Sequence, residues 1–146
     1  WPSKEHLLLA ALEHLAEPAP DDFDLTDLRG CLIGMTAQVI DMFIGPKALV
    51  LPRVLIEAAQ YPPHFDDTVQ SIVRARFGTA RAVIEAAAGR GELPARIPPD
   101  LIIDAIMGRV ISLLVLTPGA RRATINAERA RYAESITDYV LAAIAT

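Results

Sequence analysis

Residues 101–116 read LIIDAIMGRVISLLVL, and this stretch decides the fold class. Only Asp104, Arg109 and Ser112 interrupt its apolar character. The stretch is shorter than the roughly 20 apolar residues that a membrane-spanning helix needs. Pro98–Pro99 precedes it, and proline is well suited to the first turn of a helix. We therefore predict a buried helix that other elements cover on almost every side.

The segments on both sides of this stretch are also predicted to be helical. Their apolar residues recur at three- and four-residue spacing, and no segment alternates with a period of two. Turns that contain proline or glycine, such as Gly45–Pro46 and Pro118–Gly119, separate the segments. The pattern indicates an all-α fold without a sheet. The six predicted helices cover residues 3–17, 24–43, 46–61, 65–88, 101–116 and 126–145.

The composition is typical of one helical domain, which we expect to cover residues 1–146. The chain of 146 residues contains 24 alanines, and alanine is the strongest helix former. A hydrophobic share of 52% with a net charge of −4 excludes intrinsic disorder. The acidic charge also excludes an autonomous nucleic-acid-binding module. The single cysteine, Cys31, excludes an intramolecular disulfide framework and fits the cytoplasm, where we expect the protein to act.

Signatures of catalysis and metal binding are missing from the sequence. It has no glycine-rich phosphate loop, no nucleophile elbow and no pair of histidines at metal-binding spacing. His6 and His14 share a helix face, but eight residues separate them, which is too far for one ion. Cys31 has no neighbour that would activate it, so we expect a small buried residue. We predict no catalytic residue, no metal and no cofactor.

Arg76 lies where its helix requires an apolar side chain. A helical wheel places it beside Ile72 on the inward side of the helix. Arg74 and Arg81, by contrast, are expected to point outward. A buried guanidinium needs a partner, because leaving it bare costs several kcal/mol. We expect either a structural ion pair between Arg76 and Glu57 or a contact between Arg76 and an acidic or carbonyl group of a ligand.

A methionine-rich surface on the helix over residues 24–43 is a second candidate for ligand binding. Methionine side chains adapt to apolar molecules of different shapes. The same side chains could equally form plain core, since methionine and phenylalanine at helical spacing are often buried. The predicted ligand-binding residues are Met35, Val39, Met42, Arg76, Phe77 and Met107.

The last two long helices favour a homodimer. The helix over residues 101–116 has more apolar perimeter than a monomer of six short helices covers comfortably, and the final helix adds an apolar stripe. A two-fold four-helix interface would bury both surfaces. The alternative is that both stripes pack within one subunit. The predicted interface residues are Arg109, Leu113, Leu116, Tyr132, Ile136, Val140 and Ala143.

Short motifs follow one another along the chain in an informative order. Residues 1–8, WPSKEHLL, resemble the junction in tetracycline-repressor (TetR) family regulators at which the chain leaves the DNA-recognition helix. Residues 55–59, LIEAA, resemble a segment of the C-terminal domains of that family. So do residues 90–93, RGEL, followed by Pro99–Asp100, and Gly108 in the next helix. The resemblance extends over essentially the whole chain.

The resemblance implies an all-helical effector-binding and dimerisation domain of a TetR-type transcriptional repressor. Residues 1–17 would be the helix that connects to a DNA-binding helix-turn-helix, which we expect to be absent from the chain. The last two long helices would form the homodimer. A small hydrophobic or amphipathic effector would bind and alter DNA binding through the absent domain. No tetracycline-type metal site is implied, because the histidines do not match one.

A stand-alone helical carrier or binding protein for apolar small molecules is the alternative interpretation. Such a protein needs no DNA-binding domain. A small helical enzyme is disfavoured, because no catalytic constellation is present. The residues encoded before Trp1 distinguish the first two interpretations, since a regulator requires a helix-turn-helix there.

Overall fold

In a computed structural model, the described part of the chain contains six α-helices with defined bounds and no strand. The structure describes residues 2, 3, 6, 7, 10, 11, 24, 26–44, 50–58, 60 and 66–145. The helices are α1 (Leu28–Ile44), α2 (Val50–Ala58), α3 (Asp66–Gly89), α4 (Pro99–Val115), α5 (Gly119–Ala127) and α6 (Arg129–Ile144). The all-α prediction is confirmed. None of the described helices is both long and apolar enough to cross a membrane.

The predicted connecting helix over residues 1–17 lies mostly outside the described residues. Its described part is helical at His6, Leu7, Ala10 and Ala11. The backbone N–H of His6 donates to the Ser3 hydroxyl at 3.4 Å, and the N–H of Leu7 donates to the Ser3 carbonyl at 3.3 Å. Ser3 is therefore the N-cap of this segment.

Helix α1 is the centre of the core, where it packs against α3, α4 and α6. Its Leu32 and Ile40 are fully buried. Burying each of these side chains stabilises the fold by about 1.5–3 kcal/mol. The buried residues of the helix are Leu28, Cys31, Leu32, Met35, Thr36, Val39, Ile40 and Phe43. These positions recur every three or four residues and form one broad inward face.

Helices α1 and α6 run antiparallel and are joined by polar contacts along their length. Arg29 donates to both carboxylate oxygens of Asp138 at 2.8 and 2.9 Å near one end. Arg129 donates to Asp41 at 3.2 Å near the other end. Between these ion pairs, the buried hydroxyls of Thr36 and Thr137 lie 3.1 Å apart. The Thr36 hydroxyl donates its only proton to the Leu32 carbonyl at 2.7 Å, so the Thr137 hydroxyl is the donor to Thr36.

Helix α4, which contains the apolar stretch, is covered on one side only within the subunit. Its inward residues are Ile102, Ile103, Ile106, Val110 and Leu114. Leu101 and Leu116, by contrast, expose 57% and 78% of their surface. A single subunit therefore covers only part of this helix, as the apolar perimeter of residues 101–116 predicts.

The chain after α4 forms two helices, α5 and α6, whereas one helix was predicted over residues 126–145. Pro118 precedes the first turn of α5, as expected for a proline that supplies no helical N–H. Helix α5 ends at Glu128, whose φ of −108° and ψ of 22° break the helical path before α6 begins. Ile125 is fully buried in α5, so tertiary packing fixes this helix.

Helix α3 ends in a Schellman motif. Gly91 has a φ of 77°, a left-handed conformation that glycine adopts without steric cost. The N–H of Glu92 donates to the Ala87 carbonyl, and the N–H of Gly91 donates to the Ala88 carbonyl. These hydrogen bonds satisfy the last carbonyls of the helix. The glycine at this position is the residue type that a left-handed helix cap favours.

Candidate functional site

A cavity of about 770 Å³ lies between α3 and α4, with Met42 of α1 in its wall. Sites for small molecules generally measure about 300–1,000 Å³. The cavity therefore has the size of a ligand-binding site. Its lining residues are Met42, Gln70, Ile72, Arg74, Arg76, Phe77, Arg81, Asp100, Ile103, Asp104, Met107, Gly108 and Ile111.

The inner part of the cavity is apolar. Phe77 of α3 and Ile103 of α4 are buried, and the half-buried Met42 and Met107 lie beside them. Methionine is flexible and polarisable, so it can pack against ligands of different shapes. An apolar surface of this kind binds the hydrophobic part of a small molecule by removing it from water.

The mouth of the cavity is polar and carries opposite charges on its two helices. Helix α3 contributes Arg74 and Arg81, whereas α4 contributes Asp100 and Asp104. Arg81 donates to Asp100 from Nη1 to Oδ2 at 2.9 Å, and Nη2 contacts Oδ1. This paired contact joins α3 to α4 at the rim, and it neutralises one positive and one negative charge.

The expectation that Arg81 points outward is wrong. Its side chain is partly buried, lines the cavity and pairs with Asp100. Helix α3 packs against both α1 and α4, so two of its sides face inward. A helical wheel that allows for one inward side therefore misplaces Arg81. Arg74, which was also expected to point outward, is exposed at the mouth of the cavity.

The structure brings four of the six predicted ligand-binding residues to the cavity, namely Met42, Arg76, Phe77 and Met107. Met35 and Val39 lie in the core and do not line this cavity. Met35 shares a helix face with Met42, but seven residues correspond to about 10.5 Å along the helix axis. The cavity lies at the Met42 end of that face. The helical wheel therefore identified the correct face of α1 but not the position of the cavity along the helix axis.

Arg76 and Glu57 are both partly buried. Arg76 lies on the side of α3 that also holds the buried residues Ile72 and Ala80, as the helical wheel predicts. The ion pair between Arg76 and Glu57 stays a prediction.

Arg74 and Arg76 are two residues apart, which turns their side chains by about 200° around α3. They therefore reach the cavity from different sides of the helix.

No metal site is present among the residues that the structure describes, where no three histidine, cysteine, aspartate or glutamate side chains could hold an ion together. Cys31 is buried, as its sequence context predicts. Burial, reinforced by the negative charge of Asp27, raises the pKa of the Cys31 thiol to about 11. The thiol is therefore protonated at neutral pH and is a weak nucleophile.

A second, smaller groove of about 270 Å³ lies on the outer side of α4 and α6. Leu101, Ala105 and Arg109 form one wall, and Tyr139 and Ala143 form the other. Tyr139 exposes 70% of its surface although its ring is largely apolar. The groove is one part of the surface of α4 and α6 that the subunit leaves uncovered.

The predicted interface residues divide between this outer surface and the core. Arg109 and Ala143 line the groove, and Leu116 is exposed at the end of α4. Leu113 and Tyr132 are partly buried. Ile136 and Val140 are each only 4% exposed and pack in the subunit's own core, but Val140 also lines the groove.

Leu101 and Tyr139 were missed as interface candidates. Leu101 shares a four-residue spacing with Ala105 and Arg109, and Tyr139 shares it with Ala143. This spacing could have identified them as one outward stripe on each helix.

The chain matches a known protein family. The model described as the tetracyclin repressor-like C-terminal domain matches residues 23–140. This range contains α1 to α5 and most of α6. Comparisons with curated proteins and with solved structures give no significant match.

Proposed function

Because the chain belongs to the tetracyclin repressor-like C-terminal domain family, we propose that it is the effector-sensing and dimerisation domain of a TetR-type transcriptional repressor. A small hydrophobic or amphipathic molecule binds in the cavity between α3 and α4. Its binding alters the contact with DNA made by a helix-turn-helix joined ahead of residues 1–17. Such a regulator acts in the cytoplasm. The observation that carries the proposal is the cavity, with its ligand-sized volume and apolar inner wall.

The position of the cavity is suited to coupling ligand binding to a movement of the helices. A ligand shifts the equilibrium between two conformations of the protein only by the difference in its affinity for them. A tenfold preference supplies about 1.4 kcal/mol. The cavity touches α1 through Met42, and α1 in turn packs against α3, α4 and α6. A ligand that favours one position of α1 therefore acts on the central helix of the domain.

The outer groove of α4 and α6 supports the proposed homodimer. A second copy of the chain would place the same two helices against the groove, in the self-complementary way that two-fold symmetry requires. Exposed apolar side chains at Leu101 and Tyr139 would then leave water. Small residues at Ala105 and Ala143 would let the paired helices approach closely.

A cavity-filling variant tests the proposed ligand site. A thermal-shift screen over hydrophobic acids, lactones, acyl-CoA esters and planar drugs identifies a ligand, and calorimetry then measures its affinity. Gly108 lines the cavity, and a Cβ atom at this position would have no heavy atom within 4 Å. The leucine of Gly108→Leu can therefore enter the cavity, and we expect it to weaken binding at least tenfold.

Gly89→Leu is the matched control. Gly89 is also helical and has open space around its Cβ position, but it lies outside the cavity lining. We expect this variant to retain the affinity of the unmodified chain. If Gly108→Leu and Gly89→Leu bind the ligand equally well, the cavity is not the effector site.

A further inference from the structure

We propose that the cavity between α3 and α4 selects an amphipathic carboxylic acid, whose carboxylate binds at Arg74 and whose apolar body lies on the inner wall. This inference rests on the proposed function and specifies the class of effector. It is carried by the charge distribution at the mouth of the cavity and by the position of Arg74 relative to the apolar lining.

The lining of the cavity carries more positive than negative charge. Its charged residues are Arg74, Arg76, Arg81, Asp100 and Asp104. The pair between Arg81 and Asp100 engages both oxygens of that carboxylate. Arg76 already makes an interaction within the protein. Arg74 is therefore the positive group at the mouth that is available to a ligand, and it favours an anionic group over a neutral or cationic one.

Arg74 offers hydrogen-bond donors to a ligand. Among the described residues, its guanidinium donates only to the neutral amide oxygen of Gln70, from Nη2 at 2.7 Å. A guanidinium has five N–H donors, and its planar fork matches the two oxygens of a carboxylate. The hydrogen bond to Gln70 also restrains the side chain, since the two residues lie one helical turn apart on α3. Arg74 is thus held at the mouth with most of its donors available.

The apolar lining lies next to this anchor. Phe77 follows Arg74 by three residues, so it lies on the same side of α3 and about 4.5 Å further along the axis. From Phe77 the apolar wall continues across to Ile103 and Met107 of α4. A molecule with an acidic end and an apolar body can therefore contact both parts of the site at once.

Asp104 restricts where a carboxylate can bind at the mouth of the cavity. It belongs to α4, whereas Arg74 belongs to α3. A ligand carboxylate near Asp104 would be repelled, whereas one near Arg74 would be attracted. The charges at the mouth therefore favour a carboxylate on the α3 side.

Three probes with the same chain and different head groups test this inference. Decanoate, decanol and decyltrimethylammonium are titrated into the chain by calorimetry, the two ionic probes below their critical micelle concentrations and decanol below its solubility limit. We expect decanoate to bind at least tenfold more tightly than the other two. We also expect Arg74→Gln to weaken decanoate binding about tenfold and to leave decanol binding unchanged.

Arg121→Gln is the matched control, because it removes the same charge from an exposed position on α5 outside the cavity. Loss of affinity for decanoate should be much smaller in this variant than in Arg74→Gln. Equal losses in the two variants would show that net charge, and not Arg74, governs binding, which would overturn the inference.

The remaining outcomes separate this inference from the proposed function. If the three probes bind equally well and Gly108→Leu abolishes their binding, the cavity is a ligand site without preference for acids. In that case the inference fails and the proposed function stands. If no probe binds, the inference fails. The proposed function fails as well only if the compound screen also yields no ligand that Gly108→Leu displaces.

Discussion

Gly91 is the residue at which the backbone most directly dictates the amino acid. Its left-handed φ of 77° allows two hydrogen bonds to the last carbonyls of α3. A side chain at this position would meet no neighbouring atom within 4 Å, so the conformation and not the space restricts the choice. Sequence analysis could predict the cap, because glycine at the end of a helical pattern is a local signal.

We expect Gly91→Ala to lower the free energy of unfolding by about 1–2 kcal/mol, because the left-handed conformation is costly for residues with a Cβ atom. Gly89→Ala should be neutral or stabilising by up to about 1 kcal/mol, since Gly89 is helical and alanine is the better helix former. Urea unfolding followed by circular dichroism measures both changes. Equal effects of the two substitutions would contradict the role assigned to Gly91.

The residues of the site show what a single sequence can and cannot specify. Apolar periodicity placed Met42, Phe77 and Met107 on inward faces, and these three residues meet at the cavity. It could not place the cavity along the helix axis, so Met35 was grouped with Met42 although it lies in the core. Nor could the periodicity show that Arg81 faces α4, because contacts between segments that are distant in the sequence leave no local signal.

At the scale of whole elements, two exposed ion pairs connect α1 to α6. The hydrogen bond from the Arg29 guanidinium lowers the pKa of Asp138 below its usual value. A carboxylate with a lowered pKa stabilises the folded state above its unfolded pKa, and this stabilisation is lost as the pH falls through the folded pKa. The contribution of the Arg29–Asp138 pair should therefore be present at neutral pH and absent in acid.

We expect Asp138→Asn to lower Tm slightly at neutral pH and to have no effect once the pH is low enough to protonate Asp138. The effect should be small and should shrink in high salt, because both side chains are exposed. Thermal unfolding across the acid range measures it. Glu85→Gln removes the same charge from an exposed position on α3 and serves as the control. A Tm difference that persists unchanged in acid would contradict this account.

The boundaries of the elements were predictable where proline or glycine marks them. Helix α4 begins at Pro99, directly after Pro98, and α3 ends beside Gly91. The break between α5 and α6 falls at Glu128, between Ala127 and Arg129, and these residues carry no turn signal. Tertiary packing of the fully buried Ile125 overrides the local pattern there, which is why one helix was expected in place of two.

For the whole molecule, we expect light scattering to give a mass of about twice 15.8 kDa. Tyr139→Glu should shift the protein to the monomer, because it would bury a charge in the proposed interface at a cost of several kcal/mol. The side chain is 70% exposed in the subunit, so the variant should still fold. Circular dichroism checks the fold of the monomer.

Ile56→Glu is the control for this variant. Ile56 is a similarly exposed apolar residue, at 67%, but it lies on α2 away from the outer groove. It should leave the mass unchanged. A monomer at high protein concentration for the unmodified chain, or a dimer for Tyr139→Glu, would remove the groove of α4 and α6 as the interface.

The hydrogen bond between the Thr36 and Thr137 hydroxyls fixes the register of α1 and α6, so the two helices would move as one rigid unit. The Thr137 hydroxyl reaches its acceptor in one register of the two helices. A slip of one turn, about 5.4 Å, would leave that hydroxyl buried without a partner, at a cost of about 1–3 kcal/mol. A ligand that displaces α1 near Met42 would therefore move both helices together and would not slide one along the other. The motion would reach Tyr139 near the other end of the two helices, because Asp138 pairs with Arg29 at that end, whereas Asp41, beside Met42, pairs with Arg129.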